Sequence, residues 1–289
     1  MSLIALRDGE VRLPKRRADT HKGDYGKLLI VGGAVGYTGA PTLCARAAVR
    51  AGAGLVYLGV PAPIYDITAV KNDEAMPFPL PADDNGGVAP AAAEAVLARL
   101  SGCDVCALGP GMGKGEGTAA VVRAVLENGA VPLVLDADAL NVLRPMLPLL
   151  RDYRGCAVLT PHAGEFARLG GADTGDPAAD ALCFAAEWGC VLVLKGHRSV
   201  VAFPSGEVYI TTHGNPGMAK GGSGDALTGI LAALLGQLPP EQAVTTGVYL
   251  HSLAGDLCAA RLGEYAMTAT DLIETLPEAT KQIIQTDFE

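Results

Sequence analysis

Aromatic residues are scarce in this chain, 5% of 289 positions with a single tryptophan, while glycine (37) and alanine are abundant. Small residues of this kind suit close packing of helices on a parallel sheet rather than a core built on large rings. Positive charge is also short. Lys and Arg number 22 against 31 Asp and Glu, for a formal net charge of −9. That argues against broad electrostatic binding to nucleic acid or an anionic membrane, so a phosphate-bearing ligand must be held by local donors. No 18-residue apolar run exists to span a membrane. The first 22 residues are charged where a signal peptide needs an apolar core, so a cytoplasmic protein is expected. The seven cysteines are an odd number scattered through apolar segments, which suits buried thiols in a reducing compartment. Cys103 and Cys106 form one C-x-x-C with no second pair, and Val105, Ala107 and Leu108 around them point to a buried strand, not a zinc or redox site. Repeats, low-complexity linkers and shifts in composition are absent. The expectation is therefore one α/β domain over residues 1–289, with residues 1–26 as a polar N-terminal arm.

What the chain has instead is alternation. Residues 27–31 read as a buried strand, followed by the glycine-rich loop 32–40 and a helix near 41–51, where Pro41 sits in the first turn and its missing N–H is no loss. A strand at 55–60, helices near 63–70 and 90–100, a strand at 104–108, a helix at 118–128 and a strand at 133–135 continue the pattern. Strands at 157–160 and 191–195 follow, with a short helix ending at Leu169 and another over 178–188. Residues 200–203 and 208–211 flank Pro204-Ser205-Gly206-Glu207 as a hairpin, and helices near 226–235, 241–262 and 270–284 close the chain. The fold class is α/β, with a central, mostly parallel sheet flanked by helices on both faces.

Two familiar phosphate loops fail on spacing. The 32–40 loop lacks G-x-G-x-x-G, and the next strand ends without an acid for a ribose. In Gly109-Pro110-Gly111-Met112-Gly113-Lys114-Gly115, Leu108 stands where a Walker loop has its first glycine and Gly115 where it has Ser or Thr. A third stretch, residues 214–230, is more informative. Gly221, Gly222 and Gly224 let successive N–H groups converge where a helix begins, at about Asp225, with Leu227, Ile230, Leu231, Leu234 and Leu235 at helical spacing behind. Ser223 or Asp225 as a plain helix cap is the competing interpretation.

Five glycine-bearing or polar segments follow predicted strands, at Gly32, Gly109, Asp136, Thr160 and Lys195. In a parallel sheet these ends share one edge, so they are expected to meet the 221–225 turn in one cleft. There Asp225 is the candidate general base, taking a proton from a hydroxyl that attacks phosphorus. Glu165 is a candidate to orient a magnesium-bound water, or a first-turn acid favoured by the helix dipole. His162 is a substrate contact or a packing residue. Lys195 is a phosphate ligand or a solvated strand-end lysine. Asp136 and Asp138 read as possible turn residues, and His21 and Lys22 as parts of an exposed arm.

The motifs H-K-G-D-Y-G at His21, the 32–40 loop running into A-A-V-R-A-G-A-G-L-V, G-P-G-M-G at Gly109, D-A-D-A-L-N at Asp136, L-T-P-H-A-G-E at Leu159, L-K-G at Leu194 and G-N-P-G-M-A-K-G-G-S-G-D at Gly214 occur in this order. Together they resemble the ADP- or ATP-dependent NAD(P)H-hydrate dehydratases, which have the ribokinase-like fold. The resemblance runs from about His21 into the C-terminal helices, without room for the epimerase domain fused to many bacterial members, so the stand-alone form is expected.

The resemblance implies repair of NADH or NADPH hydrate, with ADP or ATP as co-substrate and Mg2+ between the phosphates. It implies Asp225 as base, with N–H groups of Gly222, Ser223 and Gly224 stabilising the transferring phosphoryl group. Ala40, Gly111, His162 and Asp225 would contact the hydrate, and Lys195, Gly196, His197, Arg198, Ser199 and Gly224 the nucleotide. Glu165 would reach the metal through water. An NAD(P)H-hydrate epimerase as functional partner and a homo-oligomer, a tetramer, are also implied, with no nucleic-acid or membrane partner. Two positions depart from the family pattern. Lys220 stands where a small residue is frequent, adding positive charge near the anion site, and Ser223 replaces a frequent Thr while keeping the hydroxyl. The alternatives are a ribokinase-like kinase for the hydroxymethyl group of a vitamin precursor, and a non-catalytic nucleotide sensor.

Overall fold

Segments such as Leu28-Leu29-Ile30-Val31 and Val105-Cys106-Ala107-Leu108 are apolar at every position, so each must be covered on both faces. In the computed structural model, which describes residues 3–284, they lie inside a ten-stranded sheet. The first half of the chain comprises β1 (Leu3–Leu6), β2 (Lys27–Val31), α1 (Gly39–Arg50), β3 (Leu55–Pro61), α2 (Tyr65–Lys71), β4 (Met76–Leu80), α3 (Ala92–Leu100), β5 (Val105–Leu108) and α4 (Glu116–Asn128). Next come β6 (Leu133–Leu135), α5 (Asp138–Leu143), α6 (Leu147–Arg151), β7 (Ala157–Leu159), α7 (Ala163–Leu169), α8 (Pro177–Trp188), β8 (Val191–Leu194), β9 (Val200–Ala202) and β10 (Val208–Thr211). The chain closes with α9 (Ser223–Leu235), α10 (Pro240–Leu262) and α11 (Ala269–Ile283).

The strand order is β1-β10-β9-β8-β7-β6-β5-β2-β3-β4, and only β9 runs against its neighbours. Because successive side chains on a strand face opposite ways, the sheet splits the core in two. Leu28, Ile30, Val105 and Ala107 pack under α1, α9, α10 and α11. Leu29, Val31, Cys106 and Leu108 pack under helices α3 to α8. Cys103 and Cys106 are buried free thiols, and burial pushes the Cys106 thiol well up, as expected of a structural pair.

Four elements depart from the sequence expectation. Met76-Pro77-Phe78-Pro79-Leu80 carries two prolines, which argue against a strand, yet it forms β4 because only one side of an edge strand must donate hydrogen bonds. The N-terminal segment is not only an arm: Leu3–Leu6 pairs in parallel with β10 and forms the opposite edge. The arm's first two residues lie outside the described ones. Helices α5 and α6 fill the stretch between Asp138 and Arg151, where no element was expected.

The switch in winding direction falls between β2 and β5, the place where open α/β sheets leave a crevice. The two loops approach so closely there that a Cβ on Gly32 would lie 2.6 Å from the Pro110 carbonyl oxygen. Among the described residues, no helix is long and apolar enough to cross a membrane.

Candidate active site

Helix α9 enters the core almost whole, and of its residues only Gly224 and Asp225 are not buried. Its N-terminus is reached through Gly222 at φ +100, a left-handed conformation that admits glycine readily; a Cβ here would also lie 2.6 Å from Leu43 Cδ1. No side chain caps the helix. The first intrahelical bond is Ala226 N–H to Gly222 O, while Ser223 N–H makes a long 3.4 Å contact with Lys220 O. The plain-cap alternative for Ser223 and Asp225 therefore fails, and the turn presents open N–H groups beside a carboxylate. Burial, then the charge of Asp136, raises the Asp225 pKa to about 6 against the pull of Lys195. Among the described residues its carboxylate accepts no hydrogen bond. A carboxylate with that pKa and free lone pairs is suited to accepting a proton near neutrality.

Asp136, at the end of β6, is a buried hub, not merely a turn residue. Its Oδ1 accepts from Lys195 Nζ at 2.7 Å and Thr160 Oγ1 at 2.8 Å, and its Oδ2 from Thr228 Oγ1 at 2.8 Å. The adjoining Ala137 holds φ +49, the only described non-glycine residue with positive φ, so the turn after β6 stores backbone strain beside the site. Lys195 is neither solvated nor free. Burial pulls its pKa down, but Asp136 and Glu165 more than offset this and the net shift is upward. Its ammonium lies 3.7 Å from Glu165 Oε2 and would stand 3.3 Å from a Cβ on Gly224, against the start of α9.

His162 and Glu165 form a reciprocal cap on α7. His162 Nδ1 accepts from Gly164 N–H at 3.0 Å, and Glu165 Oε2 accepts from His162 N–H at 2.9 Å. An accepting Nδ1 leaves the proton of the neutral ring on Nε2. His162 Nε2 lies 3.6 Å from Glu165 Oε2.

These groups line one cavity of about 990 Å3, walled by Asp136, His162, Glu165, Lys195, Gly196, His197, Ser199, the 213–225 segment and part of α10. Asp225, Gly222, Ser223 and Gly224 are all in this wall. Arg198 instead faces an adjoining cavity of about 320 Å3, which shares Lys195, Gly196 and His197. Ala40 and Gly111 lie outside both cavities and face each other, a Cβ on Gly111 falling 3.2 Å from Ala40 Cβ. They sit on the α1 side of α9, where Cys44 feels the charge of Asp225. Lys220 does not offer a free charge to the anion site, because its Nζ donates to the carbonyls of Tyr265 and Met267, both at 2.6 Å. Metal would need ligand oxygens from elsewhere. Among the described residues no cluster of three or more His, Cys, Asp or Glu could hold it.

Sequence reasoning passed over three residues. His251 Nε2 donates to the Ser223 carbonyl at 2.9 Å; burial lowers its pKa to about 4, so it bonds as a neutral ring. His213 bridges Asp256, 2.9 Å from Nδ1, and Asp8, 2.7 Å from Nε2. Asp256 had a signal, being an acid set among small and apolar residues of a long helix. His251 had none.

A sequence model described as NAD(P)H-hydrate dehydratase matches residues 28–278. The chain belongs to the NAD(P)H-hydrate dehydratase family. It is 47% identical over 277 residues to the bifunctional NAD(P)H-hydrate repair enzyme Nnr of Moorella thermoacetica, covering 94% of this chain and 52% of that protein. The chain thus spans about half the length of that curated relative. It is 36% identical to the ADP-dependent (S)-NAD(P)H-hydrate dehydratase of Neisseria meningitidis, over 86% of this chain and 82% of that one. Among solved structures, a ribokinase-like superfamily protein from Enterococcus faecalis superposes with TM-score 0.84 at 28% identity, covering 98% of this chain and 97% of that one. The ADP/ATP-dependent NAD(P)H-hydrate dehydratase of Bacillus subtilis, co-crystallised with ATP/Mg2+, gives 0.77 at 30% identity, covering 94% and 95%. The fold of this dehydratase family member is therefore ribokinase-like, as its motifs imply.

Proposed function

We propose that this chain dehydrates the (S)-hydrate of NADH or NADPH at the expense of ADP or ATP. The observation that carries it is Asp225, a carboxylate without a hydrogen-bond partner among the described residues, at the uncapped start of α9 in a cavity large enough for a nucleotide. Hydroxide leaves a carbon poorly and phosphate leaves it well. Asp225 removes the proton of the ring hydroxyl as its oxygen attacks the terminal phosphorus, and the shortened nucleotide departs. The ring nitrogen's lone pair then expels phosphate, and loss of a proton from the neighbouring carbon restores the dihydronicotinamide. The N–H groups of Gly222, Ser223 and Gly224 face the charge on the transferring group.

The residues fit a hydrated magnesium ion better than a caged one. Glu165 commits Oε2 to the His162 N–H and leaves Oε1 for a water, which suits an ion that takes few protein oxygens. Bound with the nucleotide, the ion would neutralise phosphate charge. The placement of Ala40 and Gly111 on the α1 side of α9 supports hydrate binding there, with Lys195, Gly196, His197, Arg198, Ser199 and Gly224 toward the nucleotide. A homotetramer, a cytoplasmic setting, an epimerase partner and a single catalytic domain over 1–289 belong to the same proposal.

The test is purified protein with NADH hydrate, magnesium and either ADP or ATP. Recovery of NADH absorbance with an equal amount of phosphate is expected. No NADH with either nucleotide, together with phosphorylation of a vitamin-like alcohol, would replace this function by the kinase one.

A further inference from the structure

The N-terminal segment reaches the cavity wall although it precedes the residues matched by the family, which begin at 28. Asp8 follows β1, and its Oδ1 accepts both from His213 Nε2 at 2.7 Å and from Tyr249 Oη at 2.6 Å. The His213 ring stands edge-on to Tyr249 with centroids 5.1 Å apart. Across the ring, the Asp256 carboxylate on α10 is hydrogen-bonded to His213 Nδ1 at 2.9 Å. Burial draws the His213 pKa down, yet the two carboxylates carry it above the ordinary value. The same Asp256 carboxylate accepts from Gly214 N–H at 3.1 Å and from Asn215 Nδ2 at 2.9 Å. Asn215 in turn accepts from Gly217 N–H at 3.0 Å, which closes the 215–217 turn. Thr212 Oγ1 donates to the Leu6 carbonyl at 2.8 Å, a second tie to β1.

The loop that begins this way ends at Gly222, and Lys220 fixes its far end to the Tyr265 and Met267 carbonyls. It is therefore held at both ends by groups outside it. We propose that Asp256 is a positioning residue for phosphoryl transfer, setting the 213–217 segment through His213 and Asn215, and that Asp8 of the N-terminal segment completes the clasp. The inference rests on the nucleotide occupying the cavity that this loop walls. It assigns a role to the G-N-P-G half of the motif, of which Gly214, Asn215 and Pro216 line the cavity.

The clasp is remote from the α1 side assigned to the hydrate, so the two substrates must respond differently. Asp256→Ala is expected to raise the KM for ADP about tenfold or more and to lower kcat, with the hydrate KM held within about twofold. Asp256→Asn keeps an acceptor for Gly214 N–H and should recover part of the loss. Asp8 is 78% exposed, so Asp8→Ala leaves folding intact and is expected to raise the ADP KM about two- to fivefold, which keeps the inference testable if Asp256→Ala does not fold. An unchanged ADP KM in both alanine variants overturns the clasp, and so does an equal rise in both substrates' KM, the sign of general loosening. Calorimetric ADP affinity of the same proteins reads the clasp without turnover. Wild-type protein that binds ADP but repairs no hydrate would remove the proposed activity, while weaker ADP binding by the variants would still sustain the clasp.

Discussion

Asp225 carries two opposed demands, and they can be measured apart. As the proposed base it must be ionised, so kcat/KM is expected to fall as pH drops through about 6, the value to which burial and Asp136 raise it. A profile flat to pH 5 would remove Asp225 from the role. As a buried acid, its ionisation opposes folding. The penalty is absent below the unfolded pKa, grows as pH rises toward about 6, and is complete above it. Asp225→Asn is therefore expected to lower kcat by about 10²- to 10⁴-fold. The same variant should gain on the order of 1–3 kcal/mol of stability at pH 8, read by urea unfolding. Lys195 is the converse case. Lys195→Met leaves Asp136 buried without its cation and should cost about 3–5 kcal/mol, and adding Asp136→Asn should return much of it. Asp225 was legible in the sequence because an acid inside G-G-S-G-D is chemically out of place in a plain anion site. Asp136 was only half legible, since its three donors come from the residues that follow β7 and β8 and from α9.

At the scale of elements, the crossing of α1 and α9 sets where the helix that carries Asp225 begins. Gly229 faces α1 so closely that a Cβ would lie 2.0 Å from the Cys44 carbonyl oxygen. Gly229→Ala must separate the helices and should destabilise the protein by about 1–3 kcal/mol or more. It should also lower kcat, because α9 carries Asp225; a variant of wild-type Tm and rate would contradict this packing. Strands such as β2 and β5 announced themselves as short apolar runs bounded by glycine. β4 did not, because Pro77 and Pro79 are acceptable only at an edge, and edges are defined by the assembled sheet.

For the whole molecule, a site built from the ends of several strands couples ligand binding to global stability. ADP with magnesium at about 100 times its Kd should add about 2.7 kcal/mol and raise Tm by several degrees. No shift with ADP or ATP would argue against a nucleotide cavity. By itself the sequence determined the alternation of strands and helices, the single edge on which loops gather, and the motifs that mark the family, since period, glycine and spacing are local properties. Only tertiary structure decided that α9 is uncapped, that Lys195 is paired with Asp136, that Lys220 is tied to carbonyls, and that Asp8 reaches His213 from 205 positions away. Those facts depend on burial and on partners distant in the chain, which no local pattern encodes.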